Sequence, residues 1–484
     1  MQVLDNPTIA RAELMRRWHA GGEENGRFLI GVVSTGIYCL PSCRARKPKD
    51  ENVRFLLGEA EAQAAGLRAC KRCRPDHFYR NFDPDAEGLF ALVERLRADP
   101  SAFGHTRDLC AAMGVGSTKL AQLFRQHYHQ TPAIFLQQAR LVAAARALLR
   151  SKASVVEVGL AVGFDSASGF HESFLRRFGL APGAYRKLRG ASGMRLSLPD
   201  DFRSHDLFGL FGRDPDGRTE KLLGQGRAIK ALRLAGKPAR LELRFQKSGL
   251  AVQWDAPRKL PVGAGVEAHQ RVLRLLGLAH DPGPFERRLA RSKGLGRLIR
   301  GRRGLRIPQT NDAYEALVWV IVGQQVNLEF ASVCRARLIE LCGTDAGQGA
   351  LAHPTPEQVA VLDYADLTRL QFSGRKAEYL IDTSRAIASG ELDLEGLALR
   401  SVGTIEKTLG AVRGLGPWSI NYLMMRAFGL GDCVPVGDSG LVAALKTFFD
   451  LEARPDAPET LRLMEVFAPH RSLASFHLWK SLDE

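Results

Sequence analysis

Four cysteines near the start of the chain have the spacing of a metal site. Cys39 and Cys43 stand four positions apart in GIYCLPSCRAR, and Cys70 and Cys73 stand three positions apart in ACKRCRP. Two close pairs of thiols suit tetrahedral Zn²⁺, which binds thiolate sulfurs at about 2.3 Å. A helical stretch near residues 59–66 is long enough to return the second pair to the first. The pattern therefore predicts a four-cysteine zinc site, for which a purely structural role is the simplest alternative.

Basic residues crowd the same segment. They are Arg44, Arg46, Lys47, Lys71, Arg72 and Arg74. Four thiolates around one Zn²⁺ leave the cluster negatively charged, so its sulfurs stay electron-rich and nucleophilic. The basic side chains would draw a phosphate backbone against that cluster, and Arg46, Lys71 and Arg72 are the candidate DNA contacts. A thiolate held against DNA in this way is suited to accepting an alkyl group.

The segment TGIYCLPSCRAR, followed by GLRACKRCRPD, closely resembles the N-terminal domain of Ada-type adaptive-response proteins. The resemblance implies that Cys39 accepts a methyl group from a methylphosphotriester in DNA, with Cys43, Cys70 and Cys73 as its zinc partners. Methylation of Cys39 would remove a negative charge from the cluster, so the affinity for DNA would rise. Leu40 is a departure, because members of this family often carry arginine there.

Composition bounds the class of protein. A chain of 484 residues is expected to form three or four domains, and a net charge of +16 favours a polyanionic partner such as DNA. No apolar run approaches the eighteen or so residues of a membrane span, and the N-terminus lacks the layout of a signal peptide. We therefore expect a cytoplasmic, nucleoid-associated protein without a membrane partner. The four remaining cysteines are interpreted as small apolar residues that pack in the hydrophobic core: Cys110, Cys334, Cys342 and Cys433.

Two helix-turn-helix patterns follow the cysteine segment. The first turns at residues 114–116 and the second near residues 163–165, and the stripe Phe170, Phe174 and Phe178 is expected to be core. The arrangement resembles an AraC-type DNA-binding domain, with recognition helices entering successive major grooves about 34 Å apart. A generic helical bundle is the alternative. The groove-facing candidates are the polar positions of each second helix: Thr118, Lys119, Gln122 and Arg125 in the first unit, and Ser168, His171, Glu172 and Arg176 in the second.

The second half of the chain opens with short alternating stretches such as ARLELRFQ and GLAVQW, which predict a small antiparallel sheet over residues 195–261. From residue 265 the pattern is helical to the end. In VRGLGPWSINYLMMRAFGLGDCVPVGDSGL, Gly414 and Gly416 permit a tight turn between two helices, where backbone N–H groups can face a phosphate. Trp418 and Tyr422 share a face of the next helix, and Asp438 precedes another helix.

A helix, a Gly-x-Gly hairpin, a helix and then an aspartate resemble the helix-hairpin-helix DNA glycosylase superfamily, and the preceding sheet narrows the resemblance to AlkA-type alkylpurine glycosylases. This implies that Asp438 is the catalytic carboxylate and that an aromatic pocket receives the flipped base. The pocket residues would be Trp418, Tyr422 and Trp479. The alternatives are that Asp438 only caps the next helix and that the aromatic residues are ordinary core.

The same resemblance assigns two further features. The segment GQQVN would wedge into the gap left by the flipped base, and its candidate side chain is Gln325, although a leucine would be a better apolar wedge. A monovalent cation would be held by backbone carbonyls around residues 413–418.

Two absences in the sequence bear on the reaction. Bifunctional relatives carry a lysine after the hairpin that attacks the sugar as an amine, and here Trp418 occupies that position, which predicts a monofunctional hydrolase. The suicidal methyltransferase for guanine methylated on oxygen carries a Pro-Cys-His-Arg signature, and no such run occurs. We therefore expect no repair of that lesion.

The sequence as a whole predicts a multidomain, mainly α protein with a small zinc domain and one small antiparallel sheet. The expected domains are residues 1–82 (Ada-type zinc), 83–190 (double helix-turn-helix), 195–264 (AlkA-type α/β subdomain) and 265–484 (helix-hairpin-helix glycosylase). The expected function is excision of 3-methyladenine- and 7-methylguanine-type bases together with methylation-activated transcription. The alternatives are a methylation-sensing regulator with an inactive glycosylase half and a glycosylase whose N-terminal domains only add DNA affinity. The expected partners are damaged and promoter duplex DNA and RNA polymerase, with the protein a monomer.

Overall fold

A four-stranded sheet lies at the centre of the first 91 residues. The computed structural model describes residues 11–21, 24–80, 82–247 and 249–482, and it divides into two units, Met1–Ala91 and Leu92–Glu484. The strands of the first unit are β1 (Leu29–Val32), β2 (Ile37–Cys39), β3 (Val53–Leu56) and β4 (Arg68–Ala69), in the order β3–β1–β2–β4. Its helices are α1 (Arg11–Ala20), α2 (Glu59–Ala64) and α3 (Pro75–Tyr79). Helix α2 confirms the helical stretch expected between the two cysteine pairs.

The sheet of the first unit is covered on both faces. Trp18 of α1 belongs to one apolar cluster, and Tyr38 of β2 belongs to the other. Strands β2 and β4 pair in parallel, and the Cys70 N–H donates to the Tyr38 carbonyl at 2.9 Å. This pairing brings Cys39, the last residue of β2, beside Cys70, which follows β4.

The next elements form the two expected helix-turn-helix units. They are α4 (Pro84–Ala98), α5 (Thr106–Met113), α6 (Ser117–Tyr128), α7 (Pro132–Arg150), α8 (Val155–Ala161), α9 (Ala167–Phe178) and α10 (Pro182–Lys187). Gly114 ends α5 with φ of +63°, a left-handed conformation that favours glycine. The predicted stripe on α9 is core, because Phe170, Phe174 and Phe178 are all buried.

A five-stranded antiparallel sheet follows. Its strands are β5 (Gly193–Leu196), β6 (Glu220–Gly224), β7 (Arg227–Leu234), β8 (Lys237–Gln246) and β9 (Gly249–Asp255), in the order β5–β9–β8–β7–β6. The antiparallel sheet predicted from the alternating stretches is therefore present, and its first strand begins at Gly193. The first unit has a sheet of its own, which the alternation of the sequence did not predict.

The remaining helices complete the second unit. They are α11 (Ser204–Phe211), α12 (Ala264–Leu275), α13 (Gly283–Arg291), α14 (Ala313–Gly323), α15 (Leu328–Cys342), α16 (Pro356–Ala360), α17 (Tyr364–Arg369), α18 (Gly374–Ala388), α19 (Val402–Gly410), α20 (Pro417–Arg426), α21 (Ser439–Phe449), α22 (Ala457–Met464) and α23 (Arg471–Lys480). Helix α14 (AYEALVWVIVG) is apolar on nearly all sides and lies within the largest core cluster. No helix in the described part of the chain is long and apolar enough to cross a membrane.

The expectation of helix alone after residue 265 is wrong at one place. A two-stranded hairpin, β10 (Thr344–Gly347) and β11 (Ala350–Ala352), interrupts the helices. Three of its alanines pack with Ala231 of β7. Its residues have low strand propensity, so contact with the sheet stabilises the hairpin rather than its own sequence.

The second helix-turn-helix unit and the five-stranded sheet share one hydrophobic core. A single cluster contains Phe174 and Phe178 of α9, Leu241 of β8 and Val272 of α12. The fully buried His269 ring of α12 contacts the Phe178 carbonyl through Nε2 at 2.7 Å. The helix-turn-helix half and the second half of the chain therefore fold around common side chains.

A buried ion network joins the sheet to the helices behind it. The Lys230 ammonium of β7 contacts Glu220 of β6 and, at 2.8 Å, Glu315 of α14. Arg335 of α15 contacts the same two carboxylates at 3.0 and 2.9 Å. Burial raises the pKa of Glu315, but the charges of Lys230 and Arg335 outweigh that effect and hold it well below its usual range. Each charge is thus compensated within the interior.

Replacing Lys230 with methionine is expected to destabilise the second unit. The change keeps an apolar stem but leaves Glu220 and Glu315 with only Arg335 as a cation, and breaking a buried pair costs about 3–5 kcal/mol. Chemical denaturation followed by circular dichroism measures the loss. The control is Lys221→Met in the neighbouring strand, because Lys221 is exposed and its loss should cost less than about 0.5 kcal/mol. Equal stability of the two variants would contradict a structural role for the network.

Candidate functional site

The four clustered cysteines converge in the first unit. The sulfurs of Cys39, Cys43, Cys70 and Cys73 all lie within 4.8 Å of one another. Backbone N–H groups support them, because Leu40 donates to Cys73 Sγ and Arg72 donates to Cys70 Sγ, each at 3.4 Å. Cys70 is buried and the other three are half-buried. The two loops therefore place four thiols around one point.

The donor set fits Zn²⁺. Four ligands at about 2.3 Å in a tetrahedron have sulfurs roughly 3.8 Å apart, which is within the span of this cluster. As free thiols the cysteines share protons. The hydrogen bond from Cys39 to Cys73 raises the pKa of Cys39 far above its usual range and lowers the pKa of Cys73 to about 6. A bound divalent cation replaces these shared protons, since it stabilises every sulfur as a thiolate.

An open cleft lies beside Cys39. Its lining includes Cys39, Trp18, Arg46, Lys47 and Lys49. The Lys47 ammonium lies 5.0 Å from the centre of the Trp18 ring, so the cation is held against an aromatic face at the rim. The cleft therefore offers a cysteine sulfur together with cations that attract a phosphate.

The remaining sequence-predicted residues of this unit lie near the cleft. Lys71 and Arg72 are exposed in the loop between Cys70 and Cys73, although neither lines the cleft. Leu40, which stands where the family often has arginine, is buried in an apolar cluster. Leu40 also lines the cleft beside Cys39, where it offers an apolar surface in place of a positive charge.

The predicted groove-facing residues are all on the surface. Thr118, Lys119 and Gln122 are exposed on α6, opposite the buried Leu120, Leu123 and Phe124. On α9, His171 and Arg176 are exposed, and Arg176 pairs with Glu172 at 3.0 Å. Exposed polar faces on these two helices are what binding in a DNA groove requires.

The Gly-x-Gly turn forms a hairpin between α19 and α20. Gly414 has φ of +93°, and a side chain at this position would collide with the Tyr379 ring. Gly416 has ordinary extended dihedrals and is the residue before α20, with Pro417 at its first position. Glycine is therefore required at 414 by both conformation and space.

The predicted wedge segment lies against this hairpin. Gln324 Nε2 donates to the Gly414 carbonyl at 2.8 Å and to Ser419 Oγ at 3.3 Å. The next residue, Gln325, is exposed and has φ of +56°, in the left-handed region. The turn between α14 and α15 is thus fastened to the hairpin with Gln325 at its tip.

Three donors fix the Asp438 carboxylate. Trp418 Nε1 donates to Oδ2 at 2.9 Å, Trp479 Nε1 donates to Oδ1 at 2.8 Å, and the Leu441 N–H donates to Oδ1 at 2.8 Å. The contact with Leu441 caps α21, so Asp438 does cap a helix, as the simpler interpretation held. The two indole contacts are additional to that role, because a cap alone needs only the backbone donor.

The predicted pocket residues come together around this carboxylate. The Tyr422 ring centre lies 5.6 Å from that of Trp418 and 6.2 Å from that of Trp479. Helix α20 carries Trp418 and Tyr422, and α23 carries Trp479. The indole N–H groups are occupied by Asp438, the Trp418 and Trp479 side chains are half-buried, and Tyr422 is buried between them and the core.

A cavity adjoining Tyr422 is lined by residues that were not predicted from the sequence as part of a site. Its lining includes Phe211 of α11, Trp319 of α14 and Arg426 of α20, together with the buried ion network. Arg426 could have been found from the sequence, because Trp418, Tyr422 and Arg426 follow one another at intervals of four residues and so share a helix face. Phe211 and Trp319 come from distant segments, and no local spacing connects them with the hairpin.

Three family models match the chain. Residues 20–76 match the metal binding domain of Ada, residues 109–188 match a helix-turn-helix domain, and residues 318–470 match the HhH-GPD superfamily of base excision DNA repair proteins. The three matches follow the order of the structural elements described above. They cover the cysteine cluster, both helix-turn-helix units and the hairpin with Asp438.

Individual relatives extend these matches. A Bacillus subtilis protein named "DNA-3-methyladenine glycosylase" is 34% identical over 182 residues, 37% of this chain and 60% of that protein. The solved structure of the "3-methyladenine dna-glycosylase from Archaeoglobus fulgidus" aligns with a TM-score of 0.53 at 17% identity, covering 59% of this chain and 97% of that one, and it supports the fold alone.

One relative aligns over nearly the whole chain. It is the Mycobacterium tuberculosis protein named "Probable bifunctional transcriptional activator/DNA repair enzyme AlkA", which is 30% identical over 491 residues, 95% of this chain and 94% of that protein. With its three domain matches in order and this alignment along its length, the chain belongs to the family of bifunctional transcriptional activators and DNA repair enzymes that join an Ada metal-binding domain, a helix-turn-helix domain and an HhH-GPD repair domain.

Proposed function

We propose that the protein excises alkylated purines through Asp438 and senses DNA methylation through Cys39. It is an enzyme of the DNA-3-methyladenine glycosylase type that also removes methyl groups from DNA phosphotriesters and regulates transcription. The observation that carries the excision site is the Asp438 carboxylate, which ends the loop after the helix-hairpin-helix and is held by the Trp418 and Trp479 indoles. A carboxylate in this position can stabilise the positive charge that forms on the sugar when the base leaves.

Excision requires the damaged nucleotide to leave the DNA stack. An alkylated purine carries a positive charge, so it stacks favourably on electron-rich aromatic faces such as those of Trp418, Tyr422 and Trp479. The bond between C1′ and the base nitrogen breaks, its electron pair moves to the purine, and positive charge develops on the sugar. Asp438 stabilises that charge. Water then bonds to C1′ and loses a proton, which gives a free base and an abasic site.

Methyl transfer uses the cleft beside Cys39. Zn²⁺, when bound by Cys39, Cys43, Cys70 and Cys73, keeps the sulfurs ionised and nucleophilic. The Cys39 sulfur bonds to the methyl carbon while the bond from that carbon to the phosphate oxygen breaks. The triester becomes an ordinary phosphodiester anion, and the protein keeps the methyl group. Arg46, Lys47 and Lys49 attract the phosphate backbone to the cleft.

Methylation of Cys39 then changes DNA binding. The thioether carries no charge, so the cluster repels phosphates less and the affinity of the first unit for DNA rises. The exposed positions of α6 and α9 make the contacts to promoter DNA, from Thr118, Lys119 and Gln122 on the first helix and His171 and Arg176 on the second. Lys71, Arg72 and the hairpin glycines Gly414 and Gly416 add contacts to the phosphate backbone, and Gln325 fills the gap left by the flipped nucleotide.

We also propose the domain boundaries, the oligomeric state, the cellular location and two further partners, RNA polymerase and a monovalent cation. The domains extend over residues 1–82, 83–190, 195–264 and 265–484, and the protein acts as a monomer at the nucleoid in the cytoplasm. Activation of transcription brings RNA polymerase to the promoter. Backbone carbonyls around residues 413–418 hold a monovalent cation, with the Gly414 carbonyl already accepting from Gln324.

The variant Asp438→Asn is expected to lower the rate of 3-methyladenine release about 10²- to 10³-fold, because the neutral amide cannot oppose the developing charge. Asparagine still caps a helix through its carbonyl oxygen, so α21 should be retained, while its amide nitrogen no longer accepts from the Trp418 indole. Single-turnover release from methylated duplex DNA measures the rate. The matched control is Asp456→Asn, since Asp456 caps α22 through the Glu459 N–H at 2.9 Å and lies outside the aromatic cluster. An unchanged rate for Asp438→Asn would remove Asp438 from the chemistry.

Chelation of zinc and the variant Cys39→Ser should each abolish transfer of a labelled methyl group from DNA phosphotriesters to the protein. Free-base release should persist in both cases, because Asp438 belongs to the other unit. Mass spectrometry of the labelled peptide identifies the acceptor. Cys110→Ser is the control, since Cys110 lies outside the cluster. Label on a residue other than Cys39 would contradict the assignment, and released base without any protein label would reduce the cysteine site to a structural clip.

Borohydride treatment during the reaction should trap no covalent protein–DNA adduct. Trp418 stands where a lysine nucleophile would be needed, and an indole forms no Schiff base with the sugar. Denaturing electrophoresis detects a trapped adduct as a band of low mobility, and a lysine-bearing bifunctional glycosylase serves as the positive control. A trapped band that depends on damaged DNA would show that the protein also cleaves the strand.

A further inference from the structure

An arginine is buried beside the aromatic cluster, and no carboxylate in the described part of the chain pairs with it. Arg426 is only 6% exposed. Among the described residues, the one side-chain hydrogen bond of its guanidinium goes to the Tyr422 hydroxyl at 3.4 Å, and its Nε has no partner. Arginine is rarely buried unless it is paired, because removing the charge from water is costly. Something other than an ion pair must therefore justify this position.

Helix α20 places Arg426 in the cavity that adjoins Tyr422. Trp418, Tyr422 and Arg426 follow one another at intervals of four residues on α20, so they lie along one face. The Arg426 guanidinium carbon lies 5.7 Å from the centre of the Tyr422 ring. Asp438 and Trp418 lie towards one end of this stripe and Arg426 lies at the other. A base that stacks on Tyr422 can therefore extend an edge towards Arg426.

The other charges around this cavity do not need a ligand in the same way. Glu220, Lys230, Glu315 and Arg335 line it, but they contact one another as two carboxylates and two cations. Arg213 also lines the cavity and has an interaction of its own, whereas no described carboxylate lies within ion-pair distance of Arg426. The network of two carboxylates and two cations has no net charge, so it adds no positive field against a cationic base.

We propose that Arg426 determines specificity by donating a hydrogen bond to the ring carbonyl oxygen of the flipped base. This inference rests on the proposed excision function. A guanidinium has only donors. A 6-oxopurine such as 7-methylguanine or hypoxanthine presents an acceptor oxygen at C6, which fits. An adenine-type base presents an amino group at C6, whose hydrogens would face the donors of Arg426. The pocket therefore favours 6-oxopurines over 6-aminopurines of equal leaving-group ability.

The hydrogen bond also affects the rate of base release. When the bond to C1′ breaks, its electron pair enters the purine ring and the C6 oxygen gains electron density. The contact with Arg426 is then stronger in the transition state than in the bound substrate, which is the condition for raising a rate. A 3-methyladenine has no oxygen through which to gain from it.

The test is the variant Arg426→Met, measured by single-turnover release of 7-methylguanine and 3-methyladenine from the same methylated duplex. Both lesions are cationic, so effects of charge cancel in the ratio of the two rates. The rate for 7-methylguanine should fall about ten- to a hundredfold and that for 3-methyladenine less than about threefold. Arg426→Lys should restore part of the ratio, because it keeps one donor. Arg369→Met, at an exposed position on α17, is the control.

A binding measurement separates this inference from the excision function. Duplexes with a 2′-fluorinated sugar resist cleavage, and their affinities for hypoxanthine- and adenine-containing sites can be compared without any turnover. The wild type should prefer hypoxanthine, and Arg426→Met should lose that preference. If Arg426→Met lowered the release rates of the two methylated bases equally, Arg426 would not determine specificity. The same conclusion would follow if the variant left the ratio of rates and the ratio of affinities unchanged. Absence of release by the wild type would overturn the excision function, and the binding ratio would then decide on Arg426.

Discussion

The Asp438 carboxylate is the point at which three helices of the second unit meet. Trp418 on α20, the first turn of α21 and Trp479 on α23 all donate to it. Indole and backbone N–H groups can only donate, and an ionised carboxylate can only accept, so each partner is satisfied by the same two oxygens. A shift of any of these helices would leave a polar group unpaired. The orientation of the aromatic faces follows from that arrangement.

Both proposed reactions use the same physical principle. Each site presents an electron-rich group to an electron-poor carbon, a sulfur to a methyl carbon at Cys39 and a carboxylate to the sugar carbon at Asp438. The surroundings differ because the products differ. The cleft at Cys39 is open and basic, as a phosphate backbone requires, whereas the surroundings of Asp438 are aromatic, as a flipped cationic base requires.

The helix-turn-helix half and the glycosylase half form one folded unit. The second helix-turn-helix shares a core with the five-stranded sheet. The first helix-turn-helix contacts the glycosylase half at His129, the residue after α6. His129 Nδ1 accepts a hydrogen bond from the Asp432 N–H at 3.1 Å. Burial lowers the pKa of His129 to about 4, so the ring is neutral and able to accept. Asp432 pairs with Arg471 at 2.7 Å and lies in the segment that leads to Asp438. The helices that we propose to contact DNA are therefore built on the same framework as the proposed excision site.

The sequence by itself determined whatever depends on short spacing. The two cysteine pairs, the buried stripe on α9, the Gly-x-Gly turn and the shared face of Trp418 and Tyr422 all follow from residues a few positions apart, because helix and turn geometry fixes their directions locally. The tertiary structure alone decided the contact of Trp479 with Asp438 and the ion network of Lys230. It also decided the β10–β11 hairpin and the burial of Arg426 without a carboxylate partner among the described residues. These depend on the packing of elements far apart in the chain, and local spacing carries no information about which distant side chain will fill a given space.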